Sequence, residues 1–203
     1  MKKPAWIGLT GGASSGKSTV SALLRGSGVP VFNLDALGRE LLEGDARVVA
    51  KMREICGETI MDGPAIHRGR VREILFSSRE KKREIEAFLH PLIWSRFLEL
   101  SAEAAKKGAK CVVCESALIL ESSLDRQMDE LVVVLASVET RMARLMARDN
   151  ISKLLAQQMI KSQTDDNERR AHATFILEND GSLDDLQKKV QPLLNEWKKR
   201  GWI

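Results

Sequence analysis

The run Gly11-Gly12-Ala13-Ser14-Ser15-Gly16-Lys17-Ser18-Thr19 has the residue types and spacing of a phosphate grip. It satisfies G-x-x-x-x-G-K-[ST] at every defined position. Glycines let the backbone bend until successive N–H groups face one anion. A helix starting inside the run adds the partial positive charge of its N-terminus. Lys17 has the reach to meet the β- and γ-phosphates of a nucleotide, and Ser18 offers a hydroxyl ligand to Mg²⁺. The flanks supply the context this grip needs. Ala5–Thr10 is a short apolar run, read as a strand, and Ser18–Leu24 has a helical pattern. A chance Gly/Ser-rich turn would have neither. ATP with Mg²⁺ is therefore the expected ligand.

Such a grip is shared by kinases, switch proteins and motors, so other residues must choose among them. Asp35 follows the second strand candidate, Val29–Leu34. Ligands of open α/β sheets bind at the carboxyl ends of the strands. A carboxylate there can accept the proton of an attacking hydroxyl. It can equally cap a helix from Ala36 onward, since Asp is a preferred cap. Glu115 ends the apolar stretch Lys110–Cys114. It is either a second acid near Mg²⁺, direct or through water, or an ordinary strand-end acid. Arg141, Arg144 and Arg148 follow the fourth strand candidate, Glu130–Ala136, and the last two share one helix face. Arginines so placed can neutralise charge on a transferred group and close a lid over it. They can also form a solvated face paired with Glu139 and Asp149. His90 precedes Pro91 between helical stretches and by itself reads as structural, with Pro91 in the first turn of the next helix.

The elements that must position these groups alternate between apolar runs and helical patterns. Strands are expected at Ala5–Thr10, Val29–Leu34, Lys110–Cys114, Glu130–Ala136 and Phe175–Glu178. Helices are expected at Ser18–Leu24, Ala36–Ile55, Val71–Phe76, Arg79–Lys107 with a break at His90-Pro91, Val138–Arg148, Ser152–Ser162 and Leu183–Lys199. Thr59–Gly63 reads as a turn region. The charge run Arg79–Glu86 reads as a solvated helix face. This order predicts an α/β fold: a doubly wound, parallel five-stranded sheet with helices on both faces.

A chain of 203 residues suits one core and a single domain. Its 43% hydrophobic and 30% charged residues are those of an ordinary globular protein. The net charge of +4 suits a polyanionic small molecule. Without a Lys/Arg block interleaved with aromatics, no nucleic-acid partner is expected. No apolar run is long enough to span a membrane. The start, Met1-Lys2-Lys3-Pro4, has the charge of an export signal, but glycines interrupt the apolar stretch behind it. A cytoplasmic location is therefore expected, with Cys56, Cys111 and Cys114 reduced. Cys111 and Cys114 form a C-x-x-C with no second pair, and read as core thiols.

Taken in order, the motifs resemble those of dephospho-coenzyme A kinases. The resemblance rests on Ile7-Gly8-Leu9-Thr10-Gly11-Gly12 with the grip behind it, Asn33-Leu34-Asp35, Gly57, Asp62-Gly63, Arg68, Phe76, His90-Pro91-Leu92 and Val112–Glu121. It continues through Ser137, Glu139-Thr140, Arg144, Arg148-Asp149, Gln163 and Glu178-Asn179-Asp180-Gly181. It implies transfer of a phosphoryl group from ATP to the ribose 3′-hydroxyl of dephospho-CoA, the last step of coenzyme A synthesis. It also implies a core (1–58, 109–138 and 166–203), a helical substrate region (59–108) and a lid (139–165). By residue, Asp35, Lys17, Arg144 and Arg148 inherit catalytic roles. The residues from Gly11 to Thr19, with Arg148 and Asn179, hold ATP. Asp35, Arg68, His90 and Glu121 hold the acceptor, and Ser18 holds the metal. A monomer is expected, and the resemblance implies dephospho-CoA as its small-molecule partner.

The chain departs from the family where Asp-x-Asp is common and Asn33-Leu34-Asp35 stands, which leaves Asp35 alone for the base role. Ala117 and Leu135 stand where Pro and Asp are common, and Asp165–Ala173 aligns poorly. Two other functions compete. One is another small kinase for a nucleoside, nucleotide or sugar, but no adenylate-kinase-like Arg-rich lid with its own Gly-rich pattern is present. The other is a nucleotide switch, but no Asn-Lys-x-Asp guanine motif is present.

Overall fold

A computed structural model describes residues 3–161 and 163–203. In chain order these form β1 (Ala5–Gly11), α1 (Lys17–Gly26), β2 (Val31–Asn33), α2 (Leu34–Gly44), α3 (Ala46–Cys56), β3 (Met61–Asp62), β4 (Ala65–Ile66), α4 (Arg68–Ser77) and α5 (Arg79–Lys106). There follow β5 (Cys111–Glu115), β6 (Glu130–Leu135), α6 (Val138–Asp149), α7 (Lys153–Lys161), α8 (Asp166–His172), β7 (Phe175–Glu178) and α9 (Leu183–Lys199). Contacts divide the chain into two units, Met1–Asn33 with Ser101–Ile203, and Leu34–Leu100.

The first unit holds the sheet, ordered β2-β5-β1-β6-β7 and parallel throughout. Parallel strands need long crossovers, which the helices supply, and covered faces, which explains the unbroken apolar runs Cys-Val-Val-Cys and Leu-Val-Val-Val-Leu. Side chains alternate between the faces with period two. Val132 and Val134 join Ile7 and Leu9 in a core closed by Val20 and Leu24 of α1 and by Leu186, Val190, Leu193 and Trp197 of α9. Leu131, Val133 and Leu135 pack on the opposite face with Ile119, Leu124 and Ala173. Trp197 buries its ring and donates its indole N–H to Glu130 Oε2 at 2.9 Å. A reciprocal cap between Ser182 and Asp185 starts α9.

The second unit has its own core, with Val48, Met52 and Ile55 of α3, Ile60, Val71 of α4, and Ile85 and Leu89 of α5.

All five expected strands of the parallel sheet are present, but several helix and turn readings need correction. The single helix expected over Ala36–Ile55 is two. Asp45 ends the first and caps the second, accepting the N–H of Arg47 at 2.8 Å, and so satisfies a donor that a new helix would leave orphaned. The break expected at His90-Pro91 is absent, and α5 runs through Pro91. An interior proline costs about 3 kcal/mol. Ile85, Leu89 and Phe97 of the same helix are buried, each contributing roughly 1.5–3 kcal/mol, which outweighs the lost bond. The turn expected at Thr59–Gly63 is a helical turn over Glu58–Ile60 and a hairpin pairing Met61 with Ile66 and Asp62 with Ala65. The poorly matched segment after Gln163 contains α8, capped by Asp165. Ser162, the expected end of one helix and part of the 139–165 segment, lies outside the described residues, as do Met1 and Lys2. Among the described residues no helix is long and apolar enough to cross a membrane.

Candidate active site

β1 delivers the chain into a loop that turns directly into α1. Gly16 is the residue before the helix and has φ 104°, a left-handed conformation that glycine adopts without strain. The N–H groups of Thr19 and Val20 both bond back to Gly16 O, at 3.0 and 3.1 Å, and Ser15 N–H bonds to Gly12 O at 3.2 Å. Lys17 arches over the loop and donates to the carbonyls of Gly11 and Gly12 at 2.8 and 3.1 Å. The hydroxyls of Ser14 and Ser15 are buried and have no partner among the described residues. Unused hydroxyls, a helix N-terminus and a lysine reaching across the loop carbonyls form a donor set suited to phosphate oxygens.

Later parts of the first unit hold this loop from three sides. Asn179, just past β7, is buried and donates its side-chain amide to Ser15 O at 2.7 Å. A Cβ on Gly16 would collide with that amide, so Gly16 is required by close approach as well as by φ. Gln163 accepts the N–H of Ala13 through Oε1 at 2.7 Å. Arg141 of α6 lies against Gly12, where any side chain would strike its guanidinium. Arg144, one turn on, donates to the backbone oxygen of Asn179 at 2.9 Å. The start of α6 is tied to the same strand end. Ser137 caps the helix, and its own N–H bonds Asp180 Oδ1 at 2.8 Å. That bond, with the hydroxyls of Thr140 and Ser137, holds the Asp180 carboxyl below its usual range.

Glu115 closes β5 opposite Leu9 and Asn33. It is buried, and Ser21 of α1 donates its hydroxyl to Oε2 at 2.8 Å. Ser18 lies three residues earlier on α1 and is exposed. These two groups, a hydroxyl and a carboxylate fixed to one helix, have the oxygen chemistry that Mg²⁺ prefers.

The other sequence-derived residues are distributed as follows. Arg148 is exposed and forms a two-pronged pair with its neighbour Asp149, at 2.7 and 2.8 Å. The solvated-face reading of the three arginines thus describes Arg148 and fails for Arg141, which is buried. Glu121 accepts the hydroxyl of Thr164 and, at 3.4 Å, its N–H. In the second unit, Asp35 lies within the first turn of α2, one residue inside the helix rather than at its cap. Arg68 opens α4 with Nη1 3.8 Å from Glu43, and His90 is exposed on α5. Sequence reasoning missed the site roles of Gln163 and Ser21. Gln163 entered only as one matching position in an ordered series. No local pattern singles out a serine or a glutamine whose partner lies 94 or 150 residues away.

Comparison with known proteins gives consistent findings. The sequence model of the dephospho-CoA kinase family matches residues 5–185. The chain is 35% identical to the dephospho-CoA kinase of Fusobacterium nucleatum, over 91% of this chain and 94% of that one. It is 36% identical to the dephospho-CoA kinase of Arabidopsis thaliana, over 94% of this chain and 82% of that one. Among solved structures it resembles the protein TT1252 from Thermus thermophilus, with a TM-score of 0.84 and 33% identity, over 96% of this chain and 98% of that one.

Proposed function

The chain belongs to the dephospho-CoA kinase family, and we propose how its residues divide that family's reaction among them. It is an enzyme that phosphorylates dephospho-CoA at the expense of ATP, in coenzyme A biosynthesis. The acceptor atom in this proposal is the ribose 3′-hydroxyl.

The carrying observation is the loop from Gly11 to Thr19, with buried hydroxyls at Ser14 and Ser15 and with Lys17 spanning its carbonyls. Lys17 exchanges the carbonyls of Gly11 and Gly12 for the β- and γ-phosphates. Ser18 is the metal ligand, with Glu115 behind it, held by Ser21. Mg²⁺ bound there supplies positive charge to the β- and γ-phosphate oxygens. Arg144 is aligned by Asn179 and neutralises charge that develops on the transferred group, and Arg148 leaves Asp149 to do the same. Asp35 orients the acceptor hydroxyl and takes its proton. It is the one carboxylate of the run Asn33-Leu34-Asp35, and an amide at position 33 is no base. Arg68, His90 and Glu121 hold the acceptor, the first two from the helical region 59–108. The segment 139–165 serves as the lid. The proposal extends to a cytosolic monomer.

The test follows ADP release from Mg-ATP with dephospho-CoA, AMP, adenosine, gluconate or shikimate as acceptor, with phosphorus NMR of the product. Turnover with dephospho-CoA alone, and a new 3′-phosphate, are expected. Equal or faster ADP release with AMP would overturn the assignment.

A further inference from the structure

Beneath the phosphate loop the structure buries more positive than negative charge. The side chains of Arg141 and Arg169 are 4% and 2% exposed. They share one carboxylate. Arg141 Nη1 lies 3.2 and 3.3 Å from the two oxygens of Asp166, and Arg169 Nη1 lies 2.9 Å from the first of them. Arg169 also donates to Thr164 O at 2.5 Å. Two donors, Arg141 Nε and Arg169 Nη2, are buried with no partner among the described residues. Two guanidinium groups and one carboxylate leave a net positive charge on the three. It lies against Gly12, the residue whose carbonyl also takes a bond from Lys17. Guanidinium cannot escape burial by losing its proton, so such an excess persists until an anion meets it.

We propose that the buried Arg141 and Arg169, with the half-buried Asp166 between them, form a net-positive triad that raises the affinity of the loop for the nucleotide's phosphates, with Arg141 as the positioning residue that directs this charge at Gly12. The proposal rests on the reading of the loop as the ATP site and adds what sets its affinity. A merely structural clamp joining α6 to α8 would use the same bonds but would not depend on the sign of the charge. The charge reading does. Removing a cation must weaken phosphate binding, and removing the anion must strengthen it, even where both changes lower the stability of the free protein.

The experiment measures the Kd of inorganic tripolyphosphate and of Mg-ATP by calorimetry for the full chain and for Arg141→Gln, Arg141→Lys and Asp166→Asn. Melting temperatures and two salt concentrations are recorded alongside. Arg141→Gln is expected to weaken both ligands about tenfold, Arg141→Lys to stay within about threefold of the parent, and Asp166→Asn to tighten both. All differences should shrink at high salt. The inference is overturned if Arg141→Gln binds like the parent, or if Arg141→Gln and Asp166→Asn weaken binding alike. If Asp166→Asn does not fold, the contrast between Arg141→Gln and Arg141→Lys decides. A parent protein that binds neither probe would overturn the ATP-site reading itself, and this proposal with it.

Discussion

Replacing Asn179 by alanine removes a single amide whose partner, Ser15 O, belongs to the phosphate loop. The bond is 2.7 Å long and buried. A neutral bond of this kind contributes about 1 kcal/mol net, and leaving a buried carbonyl without a donor costs about 1–3 kcal/mol. A total near 2 kcal/mol is expected. In a chain of 150–250 residues each kcal/mol shifts Tm by about 2–4 °C, so the variant should melt about 4–8 °C lower. The bond from Arg144 to the backbone oxygen of residue 179 needs no side chain, so that arginine keeps its anchor. The loss therefore falls on the order of the loop. If all of it is felt on binding, the Kd for ATP rises by at most about 30-fold. Asn179→Asp should be at least as harmful, because a carboxylate cannot donate and would face the carbonyl as a second acceptor. Thermal melts by circular dichroism, with and without Mg-ATP, and calorimetric titration measure both quantities. A Tm within about 1 °C of the parent together with an unchanged Kd would refute the claim that Asn179 organises the loop.

Four further outcomes follow from the same structure. Asp35→Asn should lower kcat about 10²-fold or more with little change in Tm, and an unchanged kcat removes Asp35 from the chemistry. Arg148→Ala should lower kcat more than it raises KM for ATP, because in the ground state it pairs with the exposed Asp149, and an effect confined to KM would make it a ground-state contact. Burial pushes the Cys111 thiol up to about 11, with Glu130 adding to the shift, and burial also raises Cys56. A thiol reagent at about pH 8 should therefore label these two only after unfolding, and rapid labelling of the native protein would contradict the core placement. The Asp180 carboxyl is held below its usual value of 3.8, so its contribution is present above that pH and is lost as pH falls through the lower native value. Asp180→Asn should flatten the acid limb of a stability curve below about pH 4, and an identical acid limb would dismiss the contribution.

The features legible in the sequence are those encoded locally. The strands of the parallel sheet are largely apolar runs, unbroken at Cys111–Cys114 and Leu131–Leu135 because both faces are covered, and the phosphate loop is a contiguous motif between a strand and a helix. What escaped notice depends on partners elsewhere in the chain or on competition between local and packing terms. Asp45 ends one helix and starts another, yet leucines and valines at helical spacing run straight across it. Pro91 announces a break that the packing of α5 overrides. Arg141 has the sequence surroundings of a surface arginine, among Glu139, Thr140 and Ala143. Only the fold shows that it turns inward to Asp166, 25 residues later.

The strand order also has a consequence for how the protein comes into being on the ribosome. β1 precedes every other strand of the sheet in the chain, yet it is the middle strand, with Ile7 opposite Val113 on one side and Glu130 on the other. The nascent phosphate loop thus has no sheet to hang from until β5 and β6 have emerged. Its amide brace is later still, because Asn179 reaches Ser15 across 164 residues. The intervening Leu34–Leu100 unit is contiguous and closes its own core from neighbouring segments. Domains fold largely in the order they are made, and non-local strand pairing is the slow step. Grip on nucleotide is thus acquired only after β5, β6 and Asn179 have followed, although its motif precedes all of them in the chain.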